Sequence, residues 1–296
     1  MGQNKVIKIW IMLVALSTAA WAQSAPAWAA TEATENGQIN YSQRVITATG
    51  IGAVPANAPN VGAARANAIR AAQLDALRNL VEVVKGVRVN SETTVENSMV
   101  SSDIIRTSVE GMVRGATRVG DVKYLSDSSV EVTMQVPMSG IMDVMLPQAA
   151  EGADPTSIDM ATAKVDEAAA AAAAADAVTP AASGPITGLI IDARGLGLRP
   201  SMSPRIVDQN GGILYGPGKY SREFAINQGV VGYHKDPLAA QSDTRVAGNP
   251  LTVKGVGTGG NLATDVIISS SAAQKAAMLE GFAEALSNCR VMFILD

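Results

Sequence analysis

Three arginines in one short segment are the side chains best placed to do chemistry. Arg194, Arg199 and Arg205 lie among glycines, leucines and prolines in the run RGLGLRPSMSPR. A guanidinium held in a rigid turn can bind a carboxylate or a phosphate through paired hydrogen bonds. It can equally bind backbone carbonyls and a neighbouring acid such as Asp192, which would make its role structural. We favour the structural role and keep ligand binding as the alternative.

Patterns typical of catalytic or metal sites are scarce elsewhere. His234 is the only histidine and precedes Asp236-Pro237, which predicts an exposed loop. A histidine-based metal site would need all of its other ligands from Asp and Glu, and no clustered spacing of these residues suggests one. No serine has the Gly-x-Ser-x-Gly context of a hydrolase nucleophile. We therefore expect no catalytic residue, no metal and no cofactor, and a hydrolase ranks last among the functions considered.

Two glycine-rich segments match phosphate-binding loops only in part. Gly195-Leu196-Gly197 lacks the third glycine and the following helix of a dinucleotide site. Lys254–Gly260 (KGVGTGG) lacks the Gly-Lys-Ser/Thr of a P-loop. Both follow strand-like segments, so we interpret them as ordinary turns.

The single cysteine, Cys289, excludes an intrachain disulfide. It stands just before the apolar run Val291–Leu295, and no histidine or other base is close in sequence to activate its thiol. This context predicts a small buried core residue.

The elements that would position these residues form two groups, and the first contains one long helix. Arg44–Gly52 alternates as a strand does. Val61–Lys85 has apolar residues at spacings of three and four, which predicts a helix that ends at Gly86. The alternation of Val130–Val136 predicts another strand, and Asp103–Arg118 fits both a helix and a strand. The remaining positions are the helix stripe Ile69, Ala72, Ala76, Leu80, Val83 and Val84, and two extended stretches, Val87–Val89 and Val119–Leu125.

The second group begins with the apolar strand Ile186–Ala193. Asn210-Gly211 predicts a tight hairpin between Pro204–Val207 and Ile213–Tyr215. The segment ends with a predicted strand, helix and strand, an order compatible with a crossover connection. These are Asp265–Ser269, Ser271–Leu286 and Arg290–Leu295.

Residues 148–184 separate the two groups and predict a linker. Its centre, Ala168–Ala175, is an uninterrupted alanine tract between prolines. Alanine favours helix and buries little surface, so we expect an exposed, partly helical spacer that holds the domains about 30 Å apart. The predicted fold class is α+β: two small domains, 37–147 and 185–296, each with a long helix packed on a mainly antiparallel sheet.

The N-terminus has the pattern of a cleavable signal peptide, over residues 1–22. Lys5 and Lys8 precede the apolar run Ile9–Ala20, which is too short to span a membrane. Small residues at Ala20 and Ala22 predict cleavage before Gln23, and Ala27-Trp28-Ala29 offers a second site, before Ala30. No cysteine lies near either site, so we expect a mature protein without a lipid anchor.

The charge of the mature chain disfavours nucleic acid as a partner. Losing Lys5 and Lys8 leaves 21 basic and 27 acidic residues, a net charge of −6. Binding to a phosphate backbone depends on clustered Lys and Arg.

The first domain contains a recurring pattern of glycines before the long helix and of alanines along it: Gly50-x-Gly52, Ala63-Ala64-Arg65, Ala71-Ala72, Asp75-Ala76, Leu80 and Val84-Lys85-Gly86-Val87. Over residues 44–138 this pattern resembles the LPP-twenty lipoprotein family and the related N-terminal domain of flagellar assembly protein T. The resemblance implies an outer-membrane-associated or periplasmic protein that assembles into envelope structures, in some members a ring around the flagellar motor. It implies no catalytic residue.

We therefore expect a non-enzymatic scaffold or adaptor of the bacterial envelope, located in the periplasm or peripheral to the outer membrane. Envelope proteins and further copies of the chain are its expected partners. The alternative is a small-ligand or glycan-binding module that uses the Arg194–Arg205 loop. Exposed strand edges or apolar patches would favour the scaffold, whereas a groove lined by arginines would favour the ligand-binding module.

Overall fold

The computed structural model describes residues 26–54, 60–146, 163–165 and 179–296. The predicted signal peptide and the Ala168–Ala175 tract lie outside these residues. The N-terminal domain contains strands β1 (Thr31–Thr34), β2 (Gly37–Asn40), β3 (Val45–Gly52), β4 (Thr117–Tyr124) and β5 (Val130–Pro137), and helices α1 (Val61–Lys85), α2 (Val95–Ser101), α3 (Asp103–Arg114) and α4 (Met138–Met145). Its sheet is antiparallel throughout, in the order β1-β2-β3-β5-β4. Because β1 belongs to this sheet, the domain begins earlier than residue 37.

Helix α1 packs on β3 at a distance that only glycine permits. A Cβ on Gly50 would lie 2.1 Å from the backbone nitrogen of Ala76, and one on Gly52 would lie 2.0 Å from the carbonyl oxygen of Ala68. The facing helix residues are buried and almost all small: Ala64, Ala68, Ala72, Ala76, Leu80, Val83 and Val84. The predicted helix and its apolar stripe are thus confirmed, except that Ile69 is only partly buried.

The segment 103–118, which fitted two interpretations, contains helix α3 and the start of β4. Ser102 caps α3, because its Oγ accepts the N–H of Ile105 at 3.4 Å. Strand β4 is at the edge of the sheet, and all of its residues are exposed or half-buried.

The C-terminal domain contains a mixed sheet rather than a mainly antiparallel one. Its strands are β6 (Lys164–Val165), β7 (Thr179–Pro180), β8 (Gly188–Asp192), β9 (Ile206–Asp208), β10 (Ile213–Tyr215), β11 (Gly232–His234), β12 (Pro250–Gly259), β13 (Asp265–Ile268) and β14 (Val291–Ile294). The main path is β10-β9-β13-β12-β8-β14-β11. The β9–β13, β8–β12, β8–β14 and β11–β14 pairs are parallel, so the antiparallel prediction is wrong for this domain. Such pairs join strands far apart in sequence, which local patterns do not show.

The long helix predicted for this domain is also divided. Ser271–Leu286 forms two short helices, α7 (Ser270–Ala277) and α8 (Phe282–Ser287), and the others are α5 (Arg222–Gln228) and α6 (Pro237–Gln241). Gly281 interrupts the helix in the left-handed region (φ 80°). A Cβ there would lie 2.6 Å from the carbonyl oxygen of Ile186, so this close approach requires glycine. The predicted hairpin is present as the antiparallel β9–β10 pair.

The two domains contact each other directly, so the expected separation of about 30 Å is wrong. Buried residues of both belong to one continuous apolar cluster. The described parts of the linker, β6 and β7, both pair with β12 and are therefore part of the C-terminal sheet. Packing between domains leaves no periodic pattern in the sequence, whereas the alanine tract is easily recognised. The sequence therefore predicted a spacer and did not predict the contact between the domains. Within the described residues, no helix combines the length and hydrophobicity needed to cross a bilayer.

Candidate functional site at the domain interface

A buried arginine forms the centre of the contact between the domains. Arg88 is only 4 % exposed, and its two terminal nitrogens donate to the carboxylate of Glu32 at 2.5 and 3.1 Å. Its Nε donates to the carbonyl oxygen of Pro200 in the other domain at 2.8 Å. The Arg199 guanidinium approaches the same carboxylate at 3.3 Å. Burial by itself would raise the pKa of Glu32, but the bonds and charges of Arg88, and then of Arg199, hold it below its ordinary value.

Two tyrosines continue this contact into the interior. Tyr233 Oη donates to the carbonyl oxygen of Ser201 at 2.8 Å and accepts the N–H of the same residue at 3.0 Å. Tyr41 packs edge-on against Tyr233, and the Arg88 guanidinium lies 5.8 Å from the centre of the Tyr41 ring. Burial raises the pKa of Tyr41 to about 12, so the phenol stays neutral at physiological pH.

The three arginines predicted from the sequence do not come together around a common site. Arg194 binds Asp192 through Nε and Nη2 at 2.8 and 2.7 Å. Arg199 approaches Glu32, as described above. Arg205 binds Asp265, whose side chain is fully buried, at 2.8 and 2.6 Å, and also donates to Ser91 Oγ at 2.6 Å. Each arginine thus neutralises a separate carboxylate, an arrangement that favours the structural role.

The backbone of the Arg194–Arg205 loop connects the domains. Met202 and Ser203 donate their N–H groups to the carbonyls of Arg88 and Val89 at 2.9 and 2.7 Å. On the other side of the loop, the N–H of Arg199 donates to the carbonyl of Ala263 at 2.9 Å. The loop is therefore one of the segments by which the C-terminal domain binds the N-terminal one.

His234 does not lie in an exposed loop, so that prediction is wrong. It is 5 % exposed, in β11, and its Nδ1 accepts the N–H of Asp236 at 2.9 Å. The Trp28 ring stacks on the imidazole, with ring centres 4.7 Å apart and planes 8° apart. The covering residue comes from the other end of the chain, which the local pattern around Asp236-Pro237 does not show.

Cys289 is buried, as the sequence predicts. Burial raises the pKa of its thiol, which keeps the sulfur in its unreactive protonated form.

The segment Lys254–Gly260, interpreted as a turn, lies almost wholly inside β12. Glycine is needed there because a Cβ on Gly257 would lie 2.2 Å from the carbonyl oxygen of Lys164 in β6.

A polar pocket of about 290 Å³ opens between the domains, and sequence reasoning did not find it. Two arginines line it, Arg44 from the N-terminal domain and Arg245 from the C-terminal one, together with Trp28, Asp243 and Thr244. We call it the Arg44–Arg245 pocket. The two arginines are 201 positions apart and belong to no motif. Only the three-dimensional contact of the domains brings them together.

The fold and the interface define a two-domain α+β protein whose halves form one packed unit. Residues 26–137 match the family model described as LPP20 lipoprotein, which covers the N-terminal domain. Residues 188–296 match the model described as the second domain of Treponema pallidum Tp0624. No curated protein matches the chain. The LPP-twenty resemblance is thus confirmed, and the match begins at residue 26, far enough back to include Trp28 and β1.

Proposed function

We propose that the protein is a non-enzymatic scaffold or adaptor of the bacterial envelope. The LPP20 match supports an envelope-associated, lipoprotein-like protein. The observation that carries the narrower proposal is the open edge of the N-terminal sheet. Strand β4 pairs only with β5 among the described residues, so its outer edge has backbone groups available to a strand from another protein.

Exposed apolar side chains lie beside this edge. Tyr124 is 61 % exposed and Leu125 follows it, at the end of β4. The edge also contains a bulge between Val119 and Lys123, where Gly120 has φ 71°. Bulges and charged residues at an edge oppose uncontrolled pairing, so this edge is suited to a specific partner rather than to aggregation.

The side chains that could otherwise do chemistry have structural partners, which supports a non-enzymatic role. His234 is covered by Trp28, and Cys289 is buried with a raised pKa. The Asp265 carboxylate is bound by Arg205.

Crosslinking in intact envelopes tests the proposal. We expect the parent protein to crosslink to envelope proteins or to a second copy, and the double variant Tyr124→Glu/Leu125→Glu to lose these products. Leu74→Glu is a matched control, because Leu74 is also an exposed apolar residue, at 68 %, but lies on α1. Identical products from the edge variant and the parent would contradict the role of β4. A basal-body protein among the lost products would support a flagellar role.

A further inference from the structure

The two arginines of the Arg44–Arg245 pocket form no side-chain ion pair with the described residues. Arg44 forms no ion pair or side-chain hydrogen bond with the described residues, and burial without a compensating partner lowers its pKa. Its backbone is in the left-handed region (φ 56°), which arginine rarely adopts. Strain of this kind persists where the surrounding structure holds a side chain in a required position.

Arg245 uses its two terminal nitrogens in structural hydrogen bonds, whereas its Nε has no hydrogen-bond partner among the described residues. Its Nη1 donates to the carbonyls of Gly229 and Cys289 at 3.0 and 2.8 Å, and its Nη2 donates to the carbonyl of Gln228. Its Nε–H has no such partner in the described chain, and it lies 3.0 Å from the place of a Cβ on Gly232, in the pocket wall.

Gly229 brings the two guanidinium groups close to each other. Its carbonyl accepts from Arg245, and a Cβ on it would lie 3.0 Å from Arg44 Cδ and 3.8 Å from Arg44 Nη1. No nitrogen of either arginine is among the buried polar atoms that lack a partner in the described residues. Their unused N–H groups therefore have accessible surface, and both side chains line the pocket.

Among the described residues that line the pocket, Asp243 is the only carboxylate, so the two arginines leave a net positive charge. Asp243 Oδ1 accepts the backbone N–H of Arg245 at 2.8 Å, which orients that carboxylate toward the backbone. Two arginines against one aspartate favour an anion, and paired N–H groups suit a planar or tetrahedral oxyanion. A volume of about 290 Å³ suits a small molecule rather than a bare ion.

We propose that this pocket binds a small ligand bearing a carboxylate or phosphate, which Arg44 and Arg245 bind from opposite sides of the domain interface. Trp28 forms part of the wall beside them, with its ring already fixed on His234. The site differs from the Arg194–Arg205 loop and does not depend on the scaffold role of β4.

Titration with inorganic phosphate and, separately, acetate tests the proposal on the mature protein at fixed ionic strength. In a chain that begins at Gln23, Trp28 is the only tryptophan, so its emission reports directly on the pocket. We expect a saturable change with at least one of the two anions, and the stronger one identifies the ligand group as phosphate or carboxylate. Calorimetry on the same samples gives a second signal that does not depend on Trp28.

Variants assign the binding to the two arginines. Arg44→Gln should lower the affinity for the anion at least about tenfold, as expected for the loss of a charge-assisted hydrogen bond. Thr244→Glu should lower the affinity by a similar factor, because Thr244 is an exposed pocket residue and a carboxylate there competes with the anion for the guanidinium groups. Arg70→Gln, at an exposed arginine on α1 outside the pocket, should bind like the parent. Absence of saturable binding by both methods, or unchanged affinity in Arg44→Gln and Thr244→Glu, would overturn the proposal.

Discussion

Arg205 differs from the other two loop arginines in how deeply its partner is buried. Asp265 has a fully buried side chain, whereas Arg194 and Arg199 are about half exposed in their own ion pairs, at 47 % and 53 %. Breaking a buried pair leaves an uncompensated charge, at a cost of about 3 to 5 kcal/mol, and an exposed pair contributes about 0 to 1 kcal/mol.

We therefore expect Arg205→Ala to lower the free energy of unfolding by about 3 kcal/mol or more, and Arg194→Ala and Arg199→Ala by about 1 kcal/mol or less. Urea unfolding of the three variants beside the parent measures this difference. If Arg205→Ala unfolds at the parent's midpoint, the structural role assigned to this arginine is wrong.

The lowered pKa of Glu32 predicts that acid weakens the domain interface. A carboxyl whose folded pKa lies below its unfolded value of 4.5 stabilises the fold above that pH, and this stabilisation is lost as the pH falls through the folded pKa. Glu32→Gln should therefore be less stable than the parent at neutral pH, and should lose less stability on acidification below about 4.5.

The measurement is the midpoint of urea unfolding for the parent and for Glu32→Gln, each at neutral pH and at about pH 3. Glu35→Gln is the matched control, since Glu35 is an exposed carboxylate three residues away without an ion pair in the described chain. Parallel pH profiles for the parent and Glu32→Gln would show that this carboxylate is not what couples stability to pH.

Among the elements, the contact between α1 and β3 has the least tolerance for added atoms. Gly52→Ala places a Cβ 2.0 Å from the Ala68 carbonyl, so the helix must move, and overpacking of this kind costs about 1 to 3 kcal/mol. Gly111→Ala provides the contrast: a Cβ there meets nothing within 4 Å in α3, so we expect a gain of about 0.5 to 1 kcal/mol. Thermal melts of both variants should move in opposite directions, and a neutral Gly52→Ala would contradict the packing described.

The segment just before β1 distinguishes the two predicted cleavage sites. Ala29 and Ala30 are buried, at 3 % and 2 %, and the carbonyl of Trp28 accepts the N–H of Lys235 at 2.9 Å. Cleavage before Ala30 would remove Trp28 and uncover His234. We expect intact mass measurement of the exported protein to show Gln23 as the first residue. A mature chain that starts at Ala30, or one that retains Met1, would contradict this.

Elements with a strong local pattern could be predicted from the sequence, and those that depend on distant partners could not. Helix α1 has a stripe of alanines at one spacing and a glycine at its end, so its limits follow from local rules. Strand β11 is three residues long and is a strand because β14 pairs with it. The positive φ of Arg44 has no signal at all, since nothing in the residue type favours it.

At the scale of the whole molecule, the domains should behave as one particle even when the chain between them is cut. The interface includes the Arg88–Glu32 pair and backbone bonds from Met202 and Ser203. A protease site introduced in the Ala168–Ala175 tract should therefore give two fragments that elute together in gel filtration and separate only in denaturant. Fragments that separate in native buffer would mean that the linker, rather than the interface, joins the domains.

The Arg44–Arg245 pocket depends on how the domains pack together, which is why the sequence did not point to its two arginines. Arg194, Arg199 and Arg205 are conspicuous because they are close in sequence, but each has a carboxylate partner. Arg44 and Arg245 are inconspicuous, and the packing of the domains leaves them facing a pocket.

The contacts of β11 also set the order in which the molecule can be built. Ser42 Oγ donates to the carbonyl of Tyr233, 191 residues later, and Trp28 stacks on His234 beside it. Strand β11 in turn pairs only with β14 in the described sheet, and β14 also lies next to β8. Contacts between residues so distant in sequence slow folding. Since β11 pairs with β14, we expect the contacts that Trp28 and Ser42 make with β11 to form only after Val291–Ile294 have been synthesised.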